Sequence, residues 1–349
     1  MVNPDLKGLD KKKLIITIQT MTSITEPRFH YKIAGNQFEY QKYFSAYERA
    51  LTSVWNHKEV SMTEDLLNWE LANVEERKIL SGILRAFTQI ETVIGEYWTQ
   101  FVSKLFPKPE IISMCTAYGF FETIHSAAYN HLSATLGIDE YEAYIGDPLA
   151  QQKVEYLLNE IASPKVKLAI FSGAAEGVAL FSAFSILLSF CKEGKFKGLS
   201  QIISWSILDE DQHSKMGSEL FKDLVKEQGI TKEEIEQIID GFQHVLQNEL
   251  AFLNNVFGDL TKINNLEKDA FIHFLYSKYN QRLEQLGISP QYYIDFNSSL
   301  AFQISSWFDS LSSGNISQDF FAYAKDGSQY VAKPEFNIAK VDWNNLNLK

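Results

Sequence analysis

Along most of the chain, apolar residues recur every three to four positions, the period of a helix with one buried face. The first such pattern begins near Phe38 and includes Tyr43, Phe44, Tyr47, Ala50, Leu51, Val54 and Trp55. Ser61-Met62-Thr63-Glu64 has the spacing of a capping box for a following helix. Longer helices are predicted over 75–105, ended by Pro107 and Pro109, and over 110–136, stopped by Gly137. A helix around 149–162 is separated by Pro164 from one over 165–192, and another covers 199–227 up to Gly229. Thr231-Lys232-Glu233-Glu234 is a second capping-box candidate, and further helices are predicted over 231–257, 262–286 and 290–311. No strand pattern stands out. The architecture expected is therefore all-α.

The apolar stripes of four helices are interrupted by carboxylates. The stripe of 75–105 runs Leu84, Phe87, Glu91, Ile94, Trp98, whereas Glu96 sits among Thr92, Thr99 and Gln100 on a solvated face. The stripe of 110–136 runs Ile111, Cys115, Tyr118, Glu122, His125, Tyr129, Leu132. Glu176 is central in 165–192, and Ile203, Ser206, Glu210, His213, Gly217 and Leu220 share a face of 199–227. Glu122–His125 and Glu210–His213 are both Glu-x-x-His, and residues three apart on a helix point the same way. Two such pairs plus a lone glutamate on each of two more helices form the dinuclear-site pattern of ferritin-like helical bundles.

Composition narrows the setting. The 349 residues are 45% hydrophobic and 22% charged, as expected of a globular chain. A net charge of −12 argues against direct nucleic-acid binding. Two cysteines, Cys115 and Cys191, imply no disulfide framework, and the first residues lack the pattern of a signal peptide, so a cytoplasmic location is expected. Leu168 to Cys191 is long and apolar enough to cross a bilayer. Its one charge, Glu176, is central and has potential metal partners in a bundle, so a buried core helix is expected and no membrane. From residue 312 to 349 the composition turns to Ser, Asn, Gly, Asp and Lys, which reads as a flexible tail on a helical domain of 1–311. Within that domain, about 1–37 read as an irregular arm.

Glu91, Glu122, His125, Glu176, Glu210 and His213 all fall on buried faces where Lys and Arg are nearly absent. Buried carboxylates need compensation, and two metal ions per chain supply it. Carboxylates with imidazole, and no thiol, suit iron or manganese (di-iron, di-manganese or mixed). His30, His57, His131, His244 and His273 have no partner at ligand spacing.

From Tyr47 to Leu220 the chain resembles the small, radical-generating subunit of class I ribonucleotide reductase. The resemblance rests on Phe121-Glu122-Thr123-Ile124-His125-Ser126 followed by Tyr129, on Asp209-Glu210-Asp211-Gln212-His213, and on the order carboxylate, Glu-x-x-His, Glu, Glu-x-x-His. It implies that Glu91, Glu122 and His125 hold one metal and Glu176, Glu210 and His213 the other. Tyr129 would be the radical tyrosine, or else the metal pair itself would hold the oxidising equivalent. Trp55 would start the electron path out of the site, with Asp209 linking it to the ligand histidine. The resemblance further implies a homodimer and a separate large catalytic subunit docked through the tail, whose Tyr323, Tyr330 and Trp343 are candidates for docking or radical transfer. Alternatives on the same fold are a small-molecule oxidase and an iron-storage protein. Glu91 stands where most members have Asp. Phe171 stands where the related ligand-binding oxidases have the tyrosine of a Val–Tyr crosslink, so Val93 has no such partner. Around Tyr129 the family spacing places Leu180, Phe184 and Ser206, the last more polar than usual.

Overall fold

The computed structural model describes residues 22–27, 38–138, 161, 163–289 and 296–312, with the side chains of 88–93 and 310–312 excepted. Among the described residues the expected helices are present, the last of them described from Ser298. In chain order they are α1 (Gln41–Ser53), α2 (Thr63–Leu71), α3 (Val74–Glu96), α4 (Pro109–Thr135), α5 (Pro164–Lys192), α6 (Lys197–Gln228), α7 (Lys232–Phe257), α8 (Lys268–Leu286) and α9 (Ser298–Ser312). The helix expected over 149–162, the arm before residue 22 and the tail beyond 312 lie outside the described residues.

Two elements are not plain α-helix. α3 runs on through a π-helical turn, Tyr97–Val102, and the middle of α5, Ile170–Ala179, is π-helical over ten residues. A π-helix bonds i to i+5, which turns the side chains away from the register that a 3.6-residue period predicts. Composition does not encode this. The middle of α5 is buried from Ile170 to Val178 and touches α6, α7 and α8. The apolar stretch that could pass for a membrane span is thus the central helix of the bundle, with 94% of its most apolar window buried.

Caps were legible only in part. Thr231 forms the full capping box with Glu234 at the start of α7. The box expected at Ser61 is absent; Met62 is the N-cap and makes no side-chain cap bond. Asp65 of α2 faces inward instead and accepts from the backbone N–H groups of Gly198 (3.0 Å) and Leu199 (2.8 Å). It thereby caps α6 from another helix, a long-range contact that local spacing cannot reveal.

The helix expected over 262–286 starts later, at Lys268. Lys262–Ile263 and Leu266–Glu267 pair antiparallel around Asn264 and Asn265, which both have positive φ (50° and 62°). Asparagine tolerates that conformation, so a two-residue hairpin forms where a helical pattern seemed to run on.

Candidate metal centre

Three helices bring five of the six predicted residues to one buried place. α4 contributes Glu122 and His125, α6 contributes Glu210 and His213, and the π-helical part of α5 contributes Glu176. All five are at most 2% exposed. Ligand atoms of Glu122, Glu176, Glu210 and His213 lie within 4.8 Å of one another. Glu91 lies on α3, but its side chain is outside the described residues.

The two imidazoles and two of the carboxylates are cross-connected. His125 Nδ1 is 3.3 Å from Glu122 Oε2 and 2.9 Å from Glu210 Oε1. His213 Nδ1 is 2.8 Å from Glu122 Oε1 and 3.4 Å from Glu210 Oε2. Each carboxylate therefore turns one oxygen toward each imidazole. Glu176 Oε1 accepts from the Trp98 indole N–H at 2.6 Å, and its Oε2 is buried.

These atoms satisfy one another poorly. Both oxygens of Glu122 and of Glu210, Oε2 of Glu176 and Nδ1 of His213 are buried and make no hydrogen bond of acceptable geometry. Buried polar atoms are nearly always paired, so a converging set of this kind fits a cation. Burial pushes Glu176 well above the usual carboxylate range, and the charges of Glu122 and Glu210 add to this against the pull of His213. Burial works against a charged imidazole, yet the surrounding carboxylates hold His125 and His213 well above the ordinary histidine value. Glu122 is lowered, because the charges of His213 and His125 outweigh its own burial. With oxygen and imidazole donors and no thiol, the set suits iron or manganese.

The far side of His125 is tied down. Its Nε2 is 3.1 Å from Asp209 Oδ2, and the Trp55 indole N–H donates to that same oxygen at 2.8 Å. With an ion at Nδ1, Nε2 would carry the proton and donate it to Asp209. The Trp55 ring stacks 5.8 Å from that of His125 and lies 5.3 Å from Trp205.

Tyr129 is fully buried, its ring 6.2 Å from His125 and 4.9 Å from Phe87, which in turn lies 5.1 Å from Phe184. The Ser206 hydroxyl turns back to its own helix and donates to the Ile202 carbonyl at 3.1 Å. Phe171 stacks on Tyr97 at 4.5 Å. His213 is walled by Tyr118, Trp98 and Phe121, with ring centroids 4.2, 5.9 and 6.3 Å away.

Trp98 is the contact that reading the sequence missed. It lies seven residues after Glu91 on the same stripe, and an indole N–H on a buried stripe needs an acceptor. That was a usable signal, although the acceptor itself is set by the bundle. His57 and His131, assigned no role, do meet: their rings are 4.8 Å apart. Tyr323, Tyr330 and Trp343 lie outside the described residues.

Comparison with known proteins gives one consistent answer. Residues 32–298 match the family model described as ribonucleotide reductase, small chain. A probable ribonucleoside-diphosphate reductase small subunit of Invertebrate iridescent virus 3 is 29% identical over 287 residues, 73% of this chain and 74% of that protein. Among solved structures, the ribonucleotide reductase R2 subunit of Clostridium botulinum superposes with a TM-score of 0.71 at 20% identity, over 78% of this chain and 89% of that one. A dimanganese(II) NrdF of Streptococcus sanguinis gives 0.68 at 21% identity, over 79% and 100%.

Proposed function

The chain belongs to the family of ribonucleotide reductase small chains, and on that premise we propose that Glu91, Glu122 and His125 hold one metal ion and Glu176, Glu210 and His213 a second. The protein is the small subunit of a ribonucleoside-diphosphate reductase, an oxidoreductase subunit that works with a large subunit. The family match does not favour an oxidase or storage role on the same fold. What carries the assignment of ligands is the crossing of Glu122 and Glu210: each offers one oxygen beside His125 Nδ1 and the other beside His213 Nδ1. Two carboxylates so placed could each be shared between two ions, with one imidazole serving each ion.

Bound there, two ions of iron or manganese would supply a one-electron oxidant, with oxygen or a reduced oxygen species as the source of the oxidising equivalent. The dimanganese neighbour supports manganese as a candidate, and the donor set accepts either metal. The protein's own residues do the rest. Asp209 fixes the His125 tautomer that leaves Nδ1 free to coordinate. Trp55, His125 and Asp209 form one connected path, and Asp209 Oδ2 is the atom at which a proton can move when an electron passes along it. Tyr129 would give up both a proton and an electron to that oxidant and store the oxidising equivalent as a phenoxyl radical. Its pocket of Phe87 and the His125 ring keeps water from that radical. The alternative store is the metal pair itself.

The tail of 312–349 is the proposed docking segment for the large subunit, with Tyr323, Tyr330 and Trp343 as its aromatic anchors or radical carriers. A polar segment with spaced aromatics suits binding by folding on contact. The assembled form is a homodimer in the cytoplasm. The test is metal analysis with electron paramagnetic resonance after separate reconstitution with iron and manganese. Two ions per chain are expected, with at least one lost in Glu210→Ala and in His213→Ala. Full occupancy in both variants sinks the assignment.

A further inference from the structure

Arg282 sits on α8, in the layer behind the two helices that bring Glu176 and Glu210 to the site. It is 2% exposed, and its three nitrogens go to three different places. Nε donates to the Gly177 carbonyl at 3.3 Å, Nη2 to Asp211 Oδ1 at 2.7 Å, and Nη1 to Gln285 Oε1 at 2.7 Å. Gly177 directly follows Glu176 in the π-helical segment, and Asp211 directly follows Glu210. One guanidinium therefore grips the backbone beside one metal-site carboxylate and the side chain beside another. Its carbon also lies 5.3 Å above the Phe181 ring, which fixes the plane of the fork.

The approach is built into the backbone. A Cβ on Gly177 would lie 2.7 Å from Arg282 Nε and 2.8 Å from its Cδ and Cγ, closer than real side chains come. Only glycine leaves room. Gln285, one turn of α8 further on, extends the contact to Ser218 of α6 at 2.9 Å. α8 thus reads the stripe of α6 that flanks the inward stripe of Glu210 and His213. The ion pair alone does not explain this arrangement. The Asp211 side chain is 57% exposed, and a half-solvated pair adds little stability. The site carboxylates, by contrast, depend on the spacing of the two segments that Arg282 joins. A planar fork with several donors fixes distance and angle together, which a lysine does not.

We propose that Arg282 is a positioning residue for the metal site, acting through the Gly177 carbonyl and the Asp211 carboxylate to set the distance between Glu176 and Glu210. The inference rests on the ligand assignment above. Partners behind the ligands commonly change metal affinity tenfold or more when removed.

The test titrates the full-length metal-free protein with Mn(II), following free Mn(II) and the line shape of the bound pair by electron paramagnetic resonance. In Arg282→Gln the second ion to bind should be held about tenfold more weakly, with an altered spin-coupled spectrum. Arg282→Lys keeps the charge but loses the fork, and should not restore the wild-type spectrum. Asp211→Asn changes an exposed side chain, leaves the Gly177 contact, and should shift the spectrum in the same direction by a smaller amount. A stability loss with wild-type affinity and spectrum in Arg282→Gln overturns the proposal. If Arg282→Gln fails to fold, Asp211→Asn decides: a shifted spectrum supports the proposal and an unchanged one overturns it. Glu176→Ala runs alongside. Two ions retained there would refute the ligand assignment itself, whereas one ion lost there with no effect at Arg282 or Asp211 refutes only the positioning role.

Discussion

Gly217→Ala adds one methyl group and should disable the metal centre. Gly217 lies one turn after His213 on α6 and faces Ser172 in the π-helical part of α5. A Cβ at this position would overlap both the Oγ and the Cβ of Ser172, with Trp98 3.5 Å away. Ser172 cannot swing aside freely, because its hydroxyl is hydrogen-bonded to Tyr97 at 2.9 Å. Carbon atoms need about 3.5 Å between them, so α5 and α6 must part by on the order of 1–2 Å. Overpacking of this kind costs about 1–3 kcal/mol. The functional cost is larger. Glu176 rides on one of these helices and Glu210 and His213 on the other, and metal sites tolerate only about 0.2 Å of error in ligand distance. Denaturant unfolding should therefore show a modest loss of stability, while metal analysis shows at most one ion per chain. In the double variant Gly217→Ala with Ser172→Gly the clash is gone. It should regain the second ion even though it loses the Tyr97 hydrogen bond and gains a helical glycine, each worth about 1 kcal/mol. Wild-type loading in the single variant, or no recovery in the double, would refute the reasoning.

Tyr129→Phe should load metal normally but lose an organic radical signal together with nucleotide reduction; turnover retained without that signal assigns the oxidising equivalent to the metal pair. Trp55→Phe removes the indole donor to Asp209, at a stability cost of about 1–2 kcal/mol, and should leave an oxidised centre that forms but cannot drive turnover. Normal turnover in that variant removes Trp55 from the path. Deleting residues 330–349 should abolish reduction by the assembled enzyme while metal content stays at the wild-type value, and unchanged activity rules the tail out as the docking segment.

The residues of the site were legible in the sequence because their signal is local. Glu122 with His125, and Glu210 with His213, obey a three-residue spacing that any α-helix preserves, and carboxylates stand out on an apolar stripe. Glu176 was legible as a lone charge in an apolar run, but the π-helical turn that aims it was not, since that depends on how α6, α7 and α8 close around it. The two capping boxes make the same point. Thr231 and Glu234 need only each other, so that box forms. The one expected at Ser61 does not form, and the capping carboxylate nearby, Asp65, instead serves Gly198 and Leu199, more than a hundred residues on. Trp98 and Arg282 are likewise ordinary residues of their helices until the fold supplies Glu176, Gly177 and Asp211 as partners.

The burial of α5 also bears on how the chain is made. Residues 164–192 leave the ribosome before α6, α7 and α8, the helices that cover the middle of this segment. The last of those is complete roughly 100 residues later, which at about 5–20 residues per second is about 5–20 seconds. For that interval the nascent polypeptide displays a greasy segment as long as a bilayer is thick, with a mean hydropathy of 1.8 over its most apolar window. Glu176 sits in the middle of it. Before it has any ion to bind, that carboxylate raises the cost of placing the segment in lipid.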